Sequence, residues 1–166
     1  MIASTNTRNT SEETSAVKAL ESVISEHPFL RDLKPKHLHA LADNSMRMRY
    51  EVGQLIFREG DPANRFYLIE QGRVALESHG RDEKAVSIQT IGPGDVLGWS
   101  WLFPPYYWHF DARVLEPTTA LFFYGTRLRE QCEEDHDLGY ELMKRMTQVV
   151  IQRLQATRKE LLARRA

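Results

Sequence analysis

The stretch GQLIFREGDPANRFYLIEQGRVAL, Gly53 to Leu76, decides how the rest of the chain is read. Leu55 to Phe57, Phe66 to Ile69 and Val74 to Leu76 are three short apolar runs. Turn signals divide them, Gly60-Asp61-Pro62 in the first gap and Gln71-Gly72 in the second. Runs this short, bounded by such turns, are strands that fold back on one another.

The same pattern continues outward. Gly53 turns the segment from Met48 to Phe57. After the polar loop SHGRDEK comes AVSIQTI, Ala85 to Ile91; DARVL and TALFFY, with Glu116-Pro117 between them, close the series. Short strands at near-regular spacing predict an antiparallel barrel or roll over about residues 46–125. On its N-terminal side, Ala16, Val17, Leu20, Val23 and Ile24 recur at helical spacing until Pro28. Pro35 opens a second helix through Leu38 and Leu41, stopping near Asn44. Past Gly125, Thr126 is expected to cap a short helix to about Glu134, and Asp137 a long one from Leu138 to about Ala163. The two helices span about residues 126–164. Met143, Met146, Val150, Leu154, Thr157 and Leu161 form one stripe on the long helix, and Leu138, Leu142 and Val149 a second. Either both stripes pack inside the chain, or one covers the roll while the other meets the same helix of a second copy.

The 166 residues suit one domain, here residues 15–166, preceded by a polar tail at residues 1–14 read as disordered. A net charge of -1 gives no global field for nucleic acid. One cysteine, Cys132, leaves no internal disulfide and fits a reducing compartment. With no secretory core and no apolar run of about 20 residues, the protein reads as cytoplasmic and not membrane-spanning.

On Gly53, the Gly60-Asp61 turn, Tyr67-Leu68-Ile69 and Gly72, the sequence resembles the cyclic-nucleotide-binding fold of catabolite-activator (Crp/Fnr) type regulators. IGPGDVLG, Ile91 to Gly98, resembles the entrance to that family's phosphate-binding cassette, and RLQATRKE, Arg153 to Glu160, the base-facing part of its long helix. The resemblance implies a mainly β fold with flanking helices: an eight-stranded, jelly-roll-like double-stranded β-helix. It implies ligand bound inside the roll, and a long C-terminal helix that closes over the ligand and forms a homodimer. It makes cAMP or cGMP the candidate ligand, with no other cofactor and no metal. The family's DNA-binding domain follows the long helix, and this chain stops at Ala166, so no such domain is expected here.

A cyclic phosphate needs backbone N–H donors, a cation and small residues that let it approach. The family's cassette supplies a Gly-Glu pair, whose Glu takes the ribose hydroxyl, and later an Arg followed by Ser or Thr and Ala. By resemblance Gly94 and Asp95 stand for the first pair, and the backbones of Val96, Leu97 and Gly98 for the donors. If Ala112 matches the family's Ala, Asp111 holds the hydroxyl position and Phe110 the arginine position. Arg113 is the nearby cation, but an odd shift along a strand turns it to the opposite face. Thr157 stands where the family's base-contacting Thr stands. Between the halves runs WSWLFPPYYWH. Three readings stay open. A cyclic nucleotide binds through a rearranged cassette with Arg113 as cation. The roll has changed ligand, with Trp99, Trp101, Tyr107 and Trp108 forming an apolar or stacking pocket. Or the aromatics plug the pocket or meet a protein partner.

Catalysis finds no support. His37 and His39 are two residues apart on a helix and do not share a face, His79 reads as loop, and His109 has no evident strand partner for a metal site. Cys132 is followed by Glu133-Glu134-Asp135, which works against a reactive thiolate. No nucleophile and base fall into a motif. The chain is read as a non-enzymatic ligand-sensing or regulatory module.

Overall fold

A computed structural model describes residues 6–165. Helix α1 (Asn6–Glu26), a 3-10 turn at Pro28–Leu30 and helix α2 (Pro35–Asp43) lead into the strands. These are β1 (Ser45–Tyr50), β2 (Leu55–Phe57), β3 (Arg65–His79), β4 (Ala85–Ile91), β5 (Val96–Leu97) and β6 (Asp111–Tyr124). Helices α3 (Gly125–Glu134) and α4 (His136–Arg165) follow. Every strand pairing is antiparallel. β6 pairs with β3 along most of its length, and also with β1 and β2; β3 pairs with β5 through its first half and β4 through its second. The roll thus has six continuous strands where the resemblance implied eight. β3 and β6 each run on through a bend, and their mutual register slips between Ile69 and Val74. Gly72 sits in that bend with φ 99°, and a Cβ there would lie 2.6 Å from the Pro117 carbonyl oxygen. Only glycine tolerates both conditions.

Strand alternation divides the interior into two cores. Phe66 and Leu68 of β3, Val96 of β5, and Leu121 and Phe123 of β6 face the helices, joining Ile24, Leu30, Leu41, Leu128, Leu138, Leu142, Met146 and Val149. Their strand neighbours Tyr67, Ile69, Leu97, Ala120 and Phe122 face into the roll, with Phe57, Leu76, Trp108 and Phe110. The roll interior is therefore lined from both β3 and β6, as a binding roll requires.

Four expectations need correction. α1 begins at Asn6, so residues 6–14 are helix rather than disordered tail, while residues 1–5 lie outside the described residues. No Gly or Pro interrupts Asn6 to Glu26, and extending a formed helix costs little. α3 begins at Gly125 with Tyr124 as its N-cap, so Thr126 lies inside it. α4 is capped by Asp135, not Asp137: its Oδ1 accepts from the N–H groups of Asp137 (3.1 Å) and Leu138 (3.3 Å). The Leu138 N–H, then Lys36 and His37 beside it, hold the Asp135 carboxyl below its ordinary range. The stripes also divide differently: Met146 joins Leu138, Leu142 and Val149 on the buried side. Met143, Leu154, Thr157 and Leu161 remain exposed.

Candidate functional site

β5 is entered through a tight turn from Gly92 to Asp95. The Asp95 N–H donates to the Gly92 carbonyl (3.0 Å), and the Gly92 N–H donates back to Asp95 Oδ2 (2.9 Å). Gly94 supplies the positive φ of 86°. The turn is tied to β3 by Gly94 N–H to the Ile69 carbonyl and Ile69 N–H to the Asp95 carbonyl, both 3.0 Å. Asp95, the expected hydroxyl acceptor, thus spends one carboxylate oxygen closing its own turn. Val96 and Leu97, expected as donors at a helix start, are strand, in register with Leu68 and Tyr67. Gly98 follows with φ 94°, and a Cβ on it would meet the Trp108 ring at 2.7 Å.

The aromatic run does not gather into one pocket. Trp101 is fully buried in the helix-facing core, stacked on Phe66 at 4.8 Å. Trp108 turns into the roll and stacks on Phe57 at 3.9 Å. Phe110 packs beside it, 5.7 Å from Phe57 and 5.2 Å from Trp99. Trp99 is half-buried and touches both cores, while Tyr107 is exposed. The backbone around Trp108 is laced to the Gly60 turn: the Trp108 N–H donates to the Asp61 carbonyl (3.0 Å), and the Gly60 N–H to the Trp108 carbonyl (2.9 Å). Those bonds fix the ring's place inside the roll.

At the start of β6 the alternation decides three assignments. Ala112 is buried in the roll interior, so Asp111 and Arg113 face away from it. Asp111 accepts from the Glu59 N–H (2.7 Å) and lies 3.8 Å from His79. Its charge supports the turn before Gly60 rather than confronting an interior ligand. Arg113 donates from Nε to Glu77 (3.2 Å) and from a terminal nitrogen to the Gly53 carbonyl (3.3 Å). A cation does border the roll interior: Arg65, whose guanidinium lies 4.7 Å from the Phe122 ring centroid and 6.0 Å from that of Tyr124. Thr157 is exposed on α4, one turn beyond Arg153 and beside Val86 to Ile88 of β4.

Arg153 was not singled out, although it opens the segment matched to the long helix. It follows Val149 by four residues on the buried side of α4 and is itself buried, donating to the Val96 carbonyl (2.7 Å). The signal was available in the period: a cation standing on an otherwise apolar inward stripe. Burial, with Glu133 and Asp135 adding to it, pushes the Cys132 thiol up to about 11, so at neutral pH it is not a thiolate. Among the described residues, no three His, Cys, Asp or Glu side chains stand close enough to hold a metal ion, and no helix is long and apolar enough to cross a membrane.

Residues 47–135 match the family model of the cyclic nucleotide-binding domain. A crystal structure from Geobacter metallireducens, classed with cyclic nucleotide-binding proteins, is 28% identical; it superposes with a TM-score of 0.71 over 84% of this chain and 98% of that one. The regulatory subunit of cAMP-dependent protein kinase from Schizosaccharomyces pombe is 32% identical over 78 residues, 47% of this chain and 18% of that protein. The CRP-like cAMP-activated global transcriptional regulator of Mycobacterium tuberculosis is 21% identical over 142 residues, 86% of this chain and 62% of that protein. The chain thus spans under a fifth of the kinase subunit and less than two thirds of the regulator. With that match and this roll, the chain belongs to the cyclic nucleotide-binding domain family, a family of ligand-sensing regulatory domains.

Proposed function

We propose that the chain is a non-catalytic sensor module, working as a homodimer through α4, whose roll takes an uncharged apolar or aromatic small molecule in place of a cyclic phosphate. One observation carries the choice of ligand. Phe110, which takes the cassette's arginine position if Ala112 matches the family's Ala, is packed between Phe57 and Trp99, while Arg113 is on the other face, held by Glu77. A phosphate entering beside Phe110 would lose its water without a cation from the cassette itself, a large cost. An aromatic ligand would exchange stacking partners with Trp108 or Trp99 at little electrostatic cost.

The dimer reading rests on α4. Tyr140, Met143, Thr147, Val150, Leu154, Thr157 and Leu161 alternate at intervals of three and four, the period of a two-stranded coiled coil. Leu154 is 63% exposed and Leu161 54%, too much apolar surface in one line for a helix that meets only water. A second copy of the same helix covers it by symmetry.

A second reading keeps the family's ligand. cAMP or cGMP binds through a rearranged cassette, with Asp95 on the ribose, the backbones of Val96 to Gly98 on the phosphate, Arg113 as cation and Thr157 at the base. The cAMP-dependent kinase subunit among the relatives favours it. It requires Arg113 to release Glu77 and turn to the roll side, while Asp95 can keep Oδ2 on Gly92 and offer Oδ1 to the ribose. Thermal unfolding separates the two. Stabilisation by indole but by neither nucleotide is the expected result; ligand at 100 times Kd adds about 2.7 kcal/mol. Stabilisation by cAMP or cGMP that Arg113→Ala abolishes establishes the second reading. No shift with any of the three overturns ligand sensing by the roll.

A further inference from the structure

The roll interior is walled by apolar side chains, Phe57, Ile69, Leu97, Phe110 and Phe122 among them. One hydroxyl is set into this wall, that of Tyr67 on β3. Tyr50 of β1 stands edge-on to it, with ring centres 6.4 Å apart. Tyr67 is 3% exposed, whereas Tyr50 and Arg65 are half-buried, so the hydroxyl lies where the interior borders the surface. Arg65 is two residues before Tyr67 on β3 and shares its roll-facing side. Its guanidinium is held over the Phe122 ring at 4.7 Å. That guanidinium and the Tyr50 hydroxyl both donate to the Tyr67 oxygen. Burial, the largest effect on Tyr67, pushes its pKa up from the ordinary value, so at neutral pH the hydroxyl keeps its hydrogen.

A phenol has one hydrogen to give and two lone pairs to offer. Both lone pairs of Tyr67 are taken, and the apolar side chains around it offer its hydrogen no acceptor. A donor left unmet in such surroundings is costly, and a guest that brings an acceptor removes the cost. Phe57 joins this hydroxyl to the aromatic stack: its ring centre lies 3.9 Å from that of Trp108 and 6.2 Å from that of Tyr67. We propose that Tyr67 selects the ligand of the roll, an uncharged aromatic molecule carrying a hydrogen-bond acceptor such as a carbonyl, with its ring stacked on Phe57 or Trp108 and its acceptor on the Tyr67 hydroxyl. This rests on the reading of the roll as a site for an aromatic guest, and adds the one polar group that guest must have. A pure hydrocarbon fills the same space but leaves the hydroxyl unmet. A carboxylate would shed its water among apolar side chains.

The test is calorimetric titration of the full chain with ethylindole and with acetylindole, substituted at the same ring carbon and alike in size but for one carbonyl. Wild type should bind acetylindole about fivefold to tenfold more tightly, the worth of one hydrogen bond between uncharged partners. Tyr67→Phe keeps the ring and its packing and should abolish that preference. Equal affinity of the two ligands for wild type, or a preference that survives Tyr67→Phe, overturns the proposal and leaves the aromatic site standing. Failure of wild type to bind either ligand overturns the aromatic site itself, and the proposal with it. Tighter binding of indoleacetate than of acetylindole overturns the choice of an uncharged acceptor.

Discussion

If the Trp108 ring stands in the roll against Gly98, the cost of a methyl group at Gly98 must depend on that ring. Gly98→Ala carries two penalties. The residue sits at φ 94°, and an L side chain in the left-handed region costs about 1–2 kcal/mol. The new Cβ also falls 2.7 Å from two carbons of the Trp108 ring, which cannot withdraw because it is stacked on Phe57 at 3.9 Å. Overpacking of this kind adds about 1–3 kcal/mol. The two carbons belong to the benzo edge of the indole, which Phe lacks. In a Trp108→Phe background only the backbone penalty should remain, so the two substitutions should couple favourably by about 1–3 kcal/mol. Urea unfolding of wild type, both single variants and the double variant, read from Trp99 and Trp101 fluorescence, closes the cycle. Equal costs for Gly98→Ala in the two backgrounds, within about 0.5 kcal/mol, would show that the ring is not where the packing places it. The placement of Trp108 in the roll interior, stacked on Phe57, would then go too.

Leu154→Glu should leave the fold nearly untouched, within about 0.5 kcal/mol for an exposed position, while shifting sedimentation velocity from dimer to monomer; an unchanged dimer refutes the α4 seam. His27 gives a pH dependence. Burial, the largest effect on it, holds its pKa below the ordinary 6.5, and its Nδ1 accepts from the Phe29 N–H at 3.2 Å. A group with a lowered folded pKa contributes stability that is full above the unfolded value and is lost as pH falls through it toward the folded one, because the unfolded chain takes the proton first. His39, whose pKa is raised by Glu21 and then Asp43, slopes the other way, so the reading is the difference between wild type and His27→Asn. The urea midpoint of wild type should fall relative to the variant between about pH 7 and about pH 5.5, the window of a titrating imidazole; parallel curves refute it.

The strands were legible because period-two alternation and turn residues are local, and β3, β4 and β6 lie where Arg65 to His79, Ala85 to Ile91 and Asp111 to Tyr124 alternate. That Arg113 lies on the opposite face from Phe110 and Ala112 was legible for the same reason: an odd step along a strand changes face, and β6 keeps that rule through Asp111, Ala112 and Arg113. What escaped depends on competition between equivalent partners. Asp135 and Asp137 are the same chemistry two residues apart, and the tertiary contacts that place Asp135 beside Lys36 and His37 of α2 do not show in the local sequence. Asp95 has a ligand-like carboxylate, but an Asp three residues after Gly92 also closes a turn, and the local bond is formed without waiting for a ligand. The aromatic loop was read as one group because its residues are adjacent in sequence. In the fold Trp101 and Trp108 fall into different cores, since the loop crosses from the helix side of the sheet to the roll side. Arg153 is the instructive case. A charged residue on a helix is assigned to water by habit, yet the spacing Leu142, Met146, Val149, Arg153 puts it on the buried line. When the period and the polarity of a residue disagree, the period wins the position, and the polarity then becomes a demand on whatever lies opposite. For Arg153 that demand is met by the Val96 carbonyl, which takes one of its N–H groups, and by the Asp95 carboxylate, which faces it without a direct bond.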